Sequence, residues 1–437
     1  MRLKQFITLT LLSTVLPGIT LARDLSLGEA VEMALREQPD TQLARAVRDG
    51  REAMESAARS GSYPGVHGRI DYRQTNNSMA GFGSILSQGT FDGSIDFNDP
   101  GQLDALTGTV EANYRIYEGG ARKARISAAR HDREASEHQL AATEALLEDS
   151  VVAAYFGIIQ ADEIIQSVEA GIGVLEENLR VSRIRETSGE LIRTERLNLE
   201  VELAARQREL LARRHQARMA RMQMAYLLGQ DPATEIRLRE NDPTIEALQS
   251  LRDLPLQTRP ELLAARASLD AAAEGIRVAA AGKRPRLDAY AAWQADKGWR
   301  RDGDGQSWTA GVVLNVPVFD GFRTRSAVDL ARARVRQAEE VLRRTELSLQ
   351  LELEEARLAT ELAREQRLVA EKQLRQADEA AQLSRERFAA GTLLSTELIG
   401  VENRLIQSRI QLALASSEEY ISVAHLRRVS GYQILEK

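Results

Sequence analysis

A chain of 437 residues with 28% charged and only 5% aromatic side chains favours long amphipathic helices over a large aromatic-filled core. The absence of cysteine excludes a disulfide scaffold and a thiol-linked lipid at the mature N-terminus. A formal charge of −6 disfavours a nucleic-acid partner, which would require a basic face.

Residues 1–22 have the form of a secretory signal: Arg2 and Lys4, an apolar run from Phe6 to Leu16, then Pro17-Gly18 and the small residues Thr20 and Ala22 flanking a cleavage point. A membrane anchor is the rival reading, but the run falls short of the ~20 apolar residues a spanning helix needs. Cleavage removes two basic residues and no acids, which takes the charge from −6 to −8. No later segment has the uninterrupted apolar length of a transmembrane helix. A membrane crossing by this chain would therefore have to be a β-barrel, the other architecture that satisfies every backbone polar group inside lipid.

The first half is expected to span 23–230. Ser26-Leu27-Gly28-Glu29, with apolar Leu27, Ala30, Val31, Ala34 and Leu35, predicts a short helix with a capping-box start that stops near Gln38-Pro39-Asp40. A second helix over 41–59 ends at the turn residues 60–65. The period then changes to two, predicting strands at about 66–74 and 106–117. The glycine-rich stretch between them carries Gly81, Gly83, Gly89 and Gly93 and reads as a loop. It is the natural place for the 19 residues by which Pro39 to Gly119 exceeds Pro260 to Gly321.

From 101 to 231 there is no proline, and a helical hairpin over 121–228 is expected, folded back at Gly189. Its first helix would run ~100 Å at 1.5 Å per residue and its return ~57 Å. The return could stack end to end on the helix 41–59, so that two short pieces parallel one long one. Residues 231–258, with Asp231-Pro232, Asp242-Pro243 and Pro255, read as a linker or equatorial belt between the halves.

The second half, 259–437, restarts at Arg259-Pro260-Glu261. It predicts strands at about 286–296 and 308–318 and a hairpin over 322–430 folded at Gly391. All three tryptophans lie in its strand pair, and Tyr72, Tyr114, Trp293 and Trp308 are candidates for an aromatic girdle. A soluble antiparallel sheet would alternate in the same way. Here the polar faces carry several ionisable groups and only helices remain to cover the apolar faces, which fits a lipid-facing exterior around a wet lumen.

The stretch around 347–362 carries two apolar stripes. Leu347, Leu351, Leu358 and Leu362 form one, and Leu342, Leu349, Leu353, Ala356 and Thr360 form another on the opposite side. A helix lying on a globular core needs one stripe, whereas a stave in a closed wall needs two.

The halves share one register. Gly119 and Gly321, Gly189 and Gly391, and Gly229 and Gly431 are each 202 positions apart. The same offset relates Arg185 to Arg387, Leu191 to Leu393, Thr194-Glu195 to Thr396-Glu397, and Glu200 to Glu402. Glycine is unfavourable inside helices, so three identical offsets at glycines indicate one duplicated unit rather than similar composition.

With this order, with Val316-Pro317-Val318-Phe319-Asp320-Gly321 after the last strand and Arg387-Phe388-Ala389-Ala390-Gly391-Thr392 at the final turn, the chain resembles the TolC-type outer-membrane channel family over 23–437. The resemblance implies a mixed membrane α/β fold built from two internal repeats. A homotrimer would form an outer-membrane β-barrel, four strands per chain, continued by a long periplasmic α-helical barrel. The sequence separately asks for copies of itself, since four strands leave two unpaired edges.

The implied function is a passive exit duct of a tripartite efflux pump or type I secretion system, in outer-membrane lipid. Its partners would be a periplasmic adaptor and an inner-membrane transporter. In the family, acidic residues six and nine positions after the second turn glycine ring the periplasmic mouth. The sixth here is Glu397, with Glu195 its counterpart in the first hairpin, and the ninth is Gly400, which weakens the ring. Gly189, Glu190, Gly391 and Thr392 resemble the adaptor-docking tips.

A soluble periplasmic coiled-coil adaptor or scaffold is the alternative; it explains the helices and leaves the strands without a reason. No catalytic constellation and no cofactor motif is present. His131, Glu134 and His138 share a helix face but supply no fourth metal ligand, and Asp302-Gly303-Asp304-Gly305 reads as a hairpin turn rather than a calcium loop.

Overall fold

The computed structural model describes residues 24–96, 98–239 and 258–431, so the expected signal segment 1–22 and residues 240–257 of the expected linker lie outside the described residues. Strand β1 (Asp24–Leu25) leads into α1 (Leu27–Glu37), whose capping box forms as the sequence predicts: Glu29 N–H donates to Ser26 Oγ at 3.2 Å and Ser26 N–H to Glu29 Oε2 at 3.0 Å. Helix α2 (Pro39–Ser60) starts two residues before the expected 41. Proline at the first helical position has no N–H to leave unpaired, and the Gln38 side chain accepts from Asp40 N–H.

Then come β2 (Gly65–Thr75), α3 (Ser78–Ser87), β3 (Leu103–Glu118), α4 (Ala121–Thr187) and α5 (Arg193–Leu227). Strand β4 (Arg237–Leu238) pairs in parallel with β1. The second half runs α6 (Pro260–Ala280), β5 (Arg286–Gly298), β6 (Gly303–Asn315), α7 (Arg323–Ala389) and α8 (Ser395–Val429). Helices α4 and α7 both have 67 residues, and α5 and α8 both have 35.

The four longer strands form one antiparallel sheet in the order β2-β3-β5-β6, with β2 and β6 at its edges. Register brings Tyr72 opposite Leu106, Val110 opposite Trp293, Tyr114 opposite Ala289 and Trp293 opposite Trp308. One face is thereby apolar and exposed, with Val66, Ile70, Tyr72, Trp293, Trp308, Val312 and Leu314 all bare. Arg69, Asp71, Thr107, Gln294 and Asp296 fall on the other face.

Two expectations are corrected here. The fourth strand, expected at 308–318, spans Gly303–Asn315: the hairpin turn is tighter, with Asp302 at φ 44°, and Pro317 has no N–H to offer a ladder. The stretch expected to be only a loop contains α3, started by the Asn77 side chain accepting from Ala80 N–H at 3.0 Å. Helix α3 lies over the polar face of the sheet, and Arg69, Asp71, Arg73, Ser84, Thr107 and Asp296 line a cavity of about 440 Å³ between them.

Below the sheet, α4 packs on α2 and α5 and also on α6 and α8, whereas the main partners of α7 are α6 and α8. At equal length, 19 residues of α4 are buried and only 8 of α7. The two stripes of α7 separate accordingly. Leu349 and Ala356 are buried and Thr360 Oγ1 donates to Ser422 O of α8 at 3.2 Å, while Leu347, Leu351, Leu358 and Leu362 are 55–65% exposed.

The largest core sits midway, where α1, α4, α5 and α8 bury Leu27, Val31, Val151, Tyr155, Ile158, Met224 and Leu228. Phe156 stacks on Tyr420 with ring centroids 4.8 Å apart. Beside it Arg259, 1% exposed, donates to Val429 O at 2.7 Å and pairs with Glu261 at 2.8 Å and Glu352 at 3.2 Å. Burial alone would raise the Glu261 pKa, but Arg259 and Arg428 together hold it below the usual carboxylate range. Arg428 also donates to Asp149 of α4 at 3.0 Å, so α4, α6, α7 and α8 are tied at one level.

Gly229 closes α5 against this core in the left-handed conformation, φ +71°, and a Cβ there would lie 2.6 Å from Glu37 O. Gly229→Ala is expected to destabilise the fold by about 1–3 kcal/mol, because backbone must move as well as φ. Gly173→Ala, in open space inside α4, should leave the thermal midpoint by circular dichroism unchanged or raised.

Candidate functional site at the hairpin tips

At the end remote from the sheet both hairpins turn in the same way. Gly189 and Gly391 have φ +79°, which only glycine adopts without strain. In the first tip Gly189 N–H donates to Glu186 O at 3.1 Å and Glu190 N–H to Arg185 O at 2.8 Å; in the second, Gly391 donates to Phe388 O at 3.1 Å and Thr392 to Arg387 O at 2.9 Å. This pair of bonds satisfies the last carbonyls of each outgoing helix and sets the exit angle of the chain.

The return helices start less well provided. Their N-cap residues, Ile192 and Leu394, have no side chain that can accept a hydrogen bond, so neither helix caps itself. In the second hairpin the acceptor comes from the first. Glu195 Oε2 accepts from Ser395 N–H at 2.8 Å and from the Ser395 hydroxyl. A carboxylate at this place also meets the positive end of the α8 dipole.

A second link joins the tips. Arg185 Nη1 donates to Phe388 O at 2.8 Å, its guanidinium lies 5.7 Å from the Phe388 ring centroid, and a Cβ on Gly391 would come within 2.8 Å of Arg185 Nη2. Under these links Leu175, Leu179, Leu199, Phe388 and Leu398 form a small buried cluster.

Each hairpin is also clamped internally. Arg196 donates to Glu186 at 2.5 Å and Glu200 at 2.6 Å, holding the Glu200 carboxyl below its usual range by hydrogen bonding. Arg385 grips the buried Glu402 through two bonds of 2.6 and 2.9 Å. Arg183 and Glu200, which stand 202 positions earlier, face each other at 3.5 Å.

Of the residues singled out from sequence, Gly189, Glu190, Gly391, Thr392 and Glu397 are exposed at the tips, and Glu195 is half-buried in its bond to Ser395. The two carboxylates that are equivalent in register thus have different surroundings in one chain. The four aromatics share the outer face of the sheet but not one level: Tyr72 and Tyr114 lie towards opposite ends, and the paired Trp293 and Trp308 lie between them. His131 Nδ1 lies 3.0 Å from Glu134, which also binds Arg130, and no metal-holding group of three His, Asp or Glu exists among the described residues. The sequence reading missed Ser395 as a capped residue and Arg185 as a cross-tip donor. The usable signal was the pair of apolar N-caps, which obliges each return helix to find its acceptor elsewhere.

The whole arrangement is that of the TolC-like outer-membrane channels. It superposes on the channel CusC with a TM-score of 0.81 at 17% identity, over 94% of this chain and 93% of that one. It matches VceC of Vibrio cholerae at 0.78 and 19%, over 94% and 97%, and MtrE of Neisseria gonorrhoeae, in its open state, at 0.77 and 18%, over 93% and 89%.

Residues 30–230 and 251–432 match the family described as Outer membrane efflux protein, and the chain belongs to that family. Family and fold are those of outer-membrane channels and not of enzymes, and the TolC-type resemblance read from the glycine register is borne out. Among relatives, the fusaric acid resistance protein FusA of Burkholderia cepacia is 26% identical over 72% of this chain and 59% of its own length. Protein CyaE of Bordetella pertussis is 27% identical over 74% of this chain and 67% of its own length.

Replacing Glu195 with alanine leaves Ser395 N–H without its charged acceptor. Loss of a cap costs about 1 kcal/mol, so amide exchange in the segment 395–398 should quicken roughly fivefold, with exchange in the midway core unchanged.

Proposed function

We propose that three copies of this chain close a ring in the outer membrane, pooling their four strands each into a twelve-stranded barrel and their hairpins into a hollow helical wall reaching through the periplasm. The ring is a passive exit duct of a tripartite efflux pump or a type I secretion system. Its hairpin tips form the periplasmic mouth, where Gly189, Glu190, Gly391 and Thr392 meet an adaptor that couples to an inner-membrane transporter. Glu195 and Glu397 supply the carboxylates of that mouth. Tyr72 and Tyr114 sit towards the two lipid–water boundaries.

The observation that carries this reading is the bare stripe of α7. Leu347, Leu351, Leu358 and Leu362 are more than half exposed on one chain, and β2 and β6 leave both sheet edges open on it. A row of large apolar side chains needs a neighbour, and α2 offers a matching one: Leu43, Val47 and Met54 are exposed and repeat the 4-then-7 spacing of Leu347, Leu351 and Leu358. A head-to-tail contact of this kind closes into a ring. The family assignment supports the outer-membrane setting. Relatives whose names speak of resistance to fusaric acid and of pyoverdine export are consistent with an export role.

The purified protein in detergent is expected to have the mass of three chains by light scattering and to conduct in planar bilayers. Glu195→Gln with Glu397→Gln should then lower cation selectivity. A monomeric mass, or trimers without conductance, would remove the duct from consideration.

A further inference from the structure

We propose that the junction between the sheet and the long helices is a basic collar that binds the phosphate headgroups of anionic phospholipids in the periplasmic leaflet, seating them in two small cavities beside the end of α6. This rests on the barrel reading and names the lipid chemistry the barrel recognises at its inner boundary.

The level of the collar follows from the sheet. The apolar side of β3 runs from Leu106 to Tyr117. At ~3.4 Å per residue and a tilt of about 45°, that is a band roughly 26 Å tall, close to the ~25 Å of an outer-membrane apolar band. Gly119 and Gly120 therefore stand at headgroup depth. There the starts of α4 and α7 both meet the end of α6: a Cβ on Gly119 would lie 2.6 Å from Arg284, and one on Gly282 would lie 2.9 Å from Thr324.

Charge at this level runs against the chain as a whole. The chain carries −6, yet 119–131 holds four lysines and arginines, 277–286 holds four and 321–328 holds two, with no acid in any of these stretches. Flanking acids take up part of this charge. Glu118 pairs with Arg122 at 3.4 Å and Arg125 at 2.6 Å, Glu274 with Arg277 at 2.8 Å, and Asp288 with Arg286 at 3.0 Å. Arg284 donates to Gly119 O at 2.8 Å, while Lys123, Lys283, Arg323 and Arg325 have no ion-pair partner among the described residues, and all five are exposed.

Two cavities gather these cations. One of about 480 Å³ lies between α4 and α6, lined by Gly120, Lys123, Ser127 and Arg284. The other, of about 470 Å³, lies between α6 and α7, lined by Lys283, Phe319, Phe322 and Arg325. Lys123 and Arg325 are 202 positions apart, as are Gly120 and Phe322, so each half brings a cation to the same place at the start of its long helix. The acids that also line the cavities are already engaged, Glu274 by Arg277 and Asp320 by Thr324 N–H at 2.9 Å. Each cavity thus offers two cations to one phosphate.

An ion from water needs no apolar rim, and this collar has one. Val318, Phe319 and Phe322 are 95, 76 and 63% exposed, the two rings meet edge to face at 5.6 Å, and they continue the bare apolar side of β6. Phe322 has φ 65°, a left-handed conformation that glycine adopts freely and phenylalanine does not, and its counterpart in the first half is Gly120. Strain kept on a side chain that packs so little against its own chain points to a partner outside it. Acyl chains next to the bound phosphate supply that partner, since aromatic rings favour the membrane–water interface.

Native mass spectrometry of the intact protein in detergent, with dioleoyl phosphatidylglycerol, dioleoylglycerol or glycerol phosphate added, reads the collar directly. The natural chain should retain phosphatidylglycerol, and the triple variant Lys123→Gln, Lys283→Gln, Arg325→Gln should hold it roughly tenfold or more weakly, because each cation near an anionic surface adds its own attraction. Dioleoylglycerol, with the same chains and no phosphate, should not distinguish the two proteins. Phe322→Gly should also weaken phosphatidylglycerol retention, while the thermal midpoint by circular dichroism holds or rises as the strain is relieved. Equal retention of phosphatidylglycerol by the natural chain and the triple variant would overturn the collar and leave the ring standing. Glycerol phosphate held as tightly as the lipid would overturn the lipid as occupant. Loss of trimeric mass in Phe322→Gly with lipid retention unchanged would assign the two rings to a second copy and overturn the apolar rim. A monomeric mass by light scattering would overturn the barrel reading and the collar together.

Discussion

The first long helix finds partners for most of its surface inside its own chain, and the second does not. Helix α4 is held by α2, α5, α6 and α8, while α7 rests on α6 and α8 and turns four large leucines outward. The two helices are equal in length and related in sequence, so the difference arises from position: α4 lies between elements of both halves, whereas the main partners of α7 belong to its own half. Apolar area of that size is costly in water. The helices and the sheet share this incompleteness, because β2 and β6 are the open edges of the sheet among the described residues.

Cohesion is unevenly spread along the molecule. The midway core buries Tyr155, Phe156, Ile158, Met224 and Leu228 with α1 wedged against them, and beside it Arg259 binds two carboxylates and a carbonyl. The tips have a five-residue cluster and a handful of charged hydrogen bonds. Local opening is cheapest where few apolar contacts are lost, so the tips are the part of the chain most able to move while the middle stays fixed. Polar tethers such as Glu195 to Ser395 suit that place: they are directional when made and leave groups that water can satisfy when broken.

Much of this was legible in the residues. Proline-free stretches, the glycines at 189 and 391, and the period-two faces placed both hairpins and the four strands close to where they stand. The misses have physical causes. Gly81 and Gly83 hid α3, whose start depends on Asn77 and whose stability depends on the sheet it covers. Strand register fixed the level of Trp293 and Trp308, and register was set by a turn around Asp302 that periodicity does not locate. The equivalence of Glu195 and Glu397 was visible as an offset. That only one of them has its partner within the chain depends on chain order, which a pairwise match of sequences does not express.

Helix α3 is encoded in the first half alone, and its last turn approaches the β6 backbone so closely that a Cβ on Gly305 would meet Ser87 O at 1.9 Å. In the proposed ring of three copies the hairpins would alternate in a nearly sixfold rhythm at one end, while at the other a single cross-piece per chain would lean over the polar side. That proposed ring would then have a coarser aperture pattern at the sheet end than at the tips, with three spaced obstacles instead of a uniform rim.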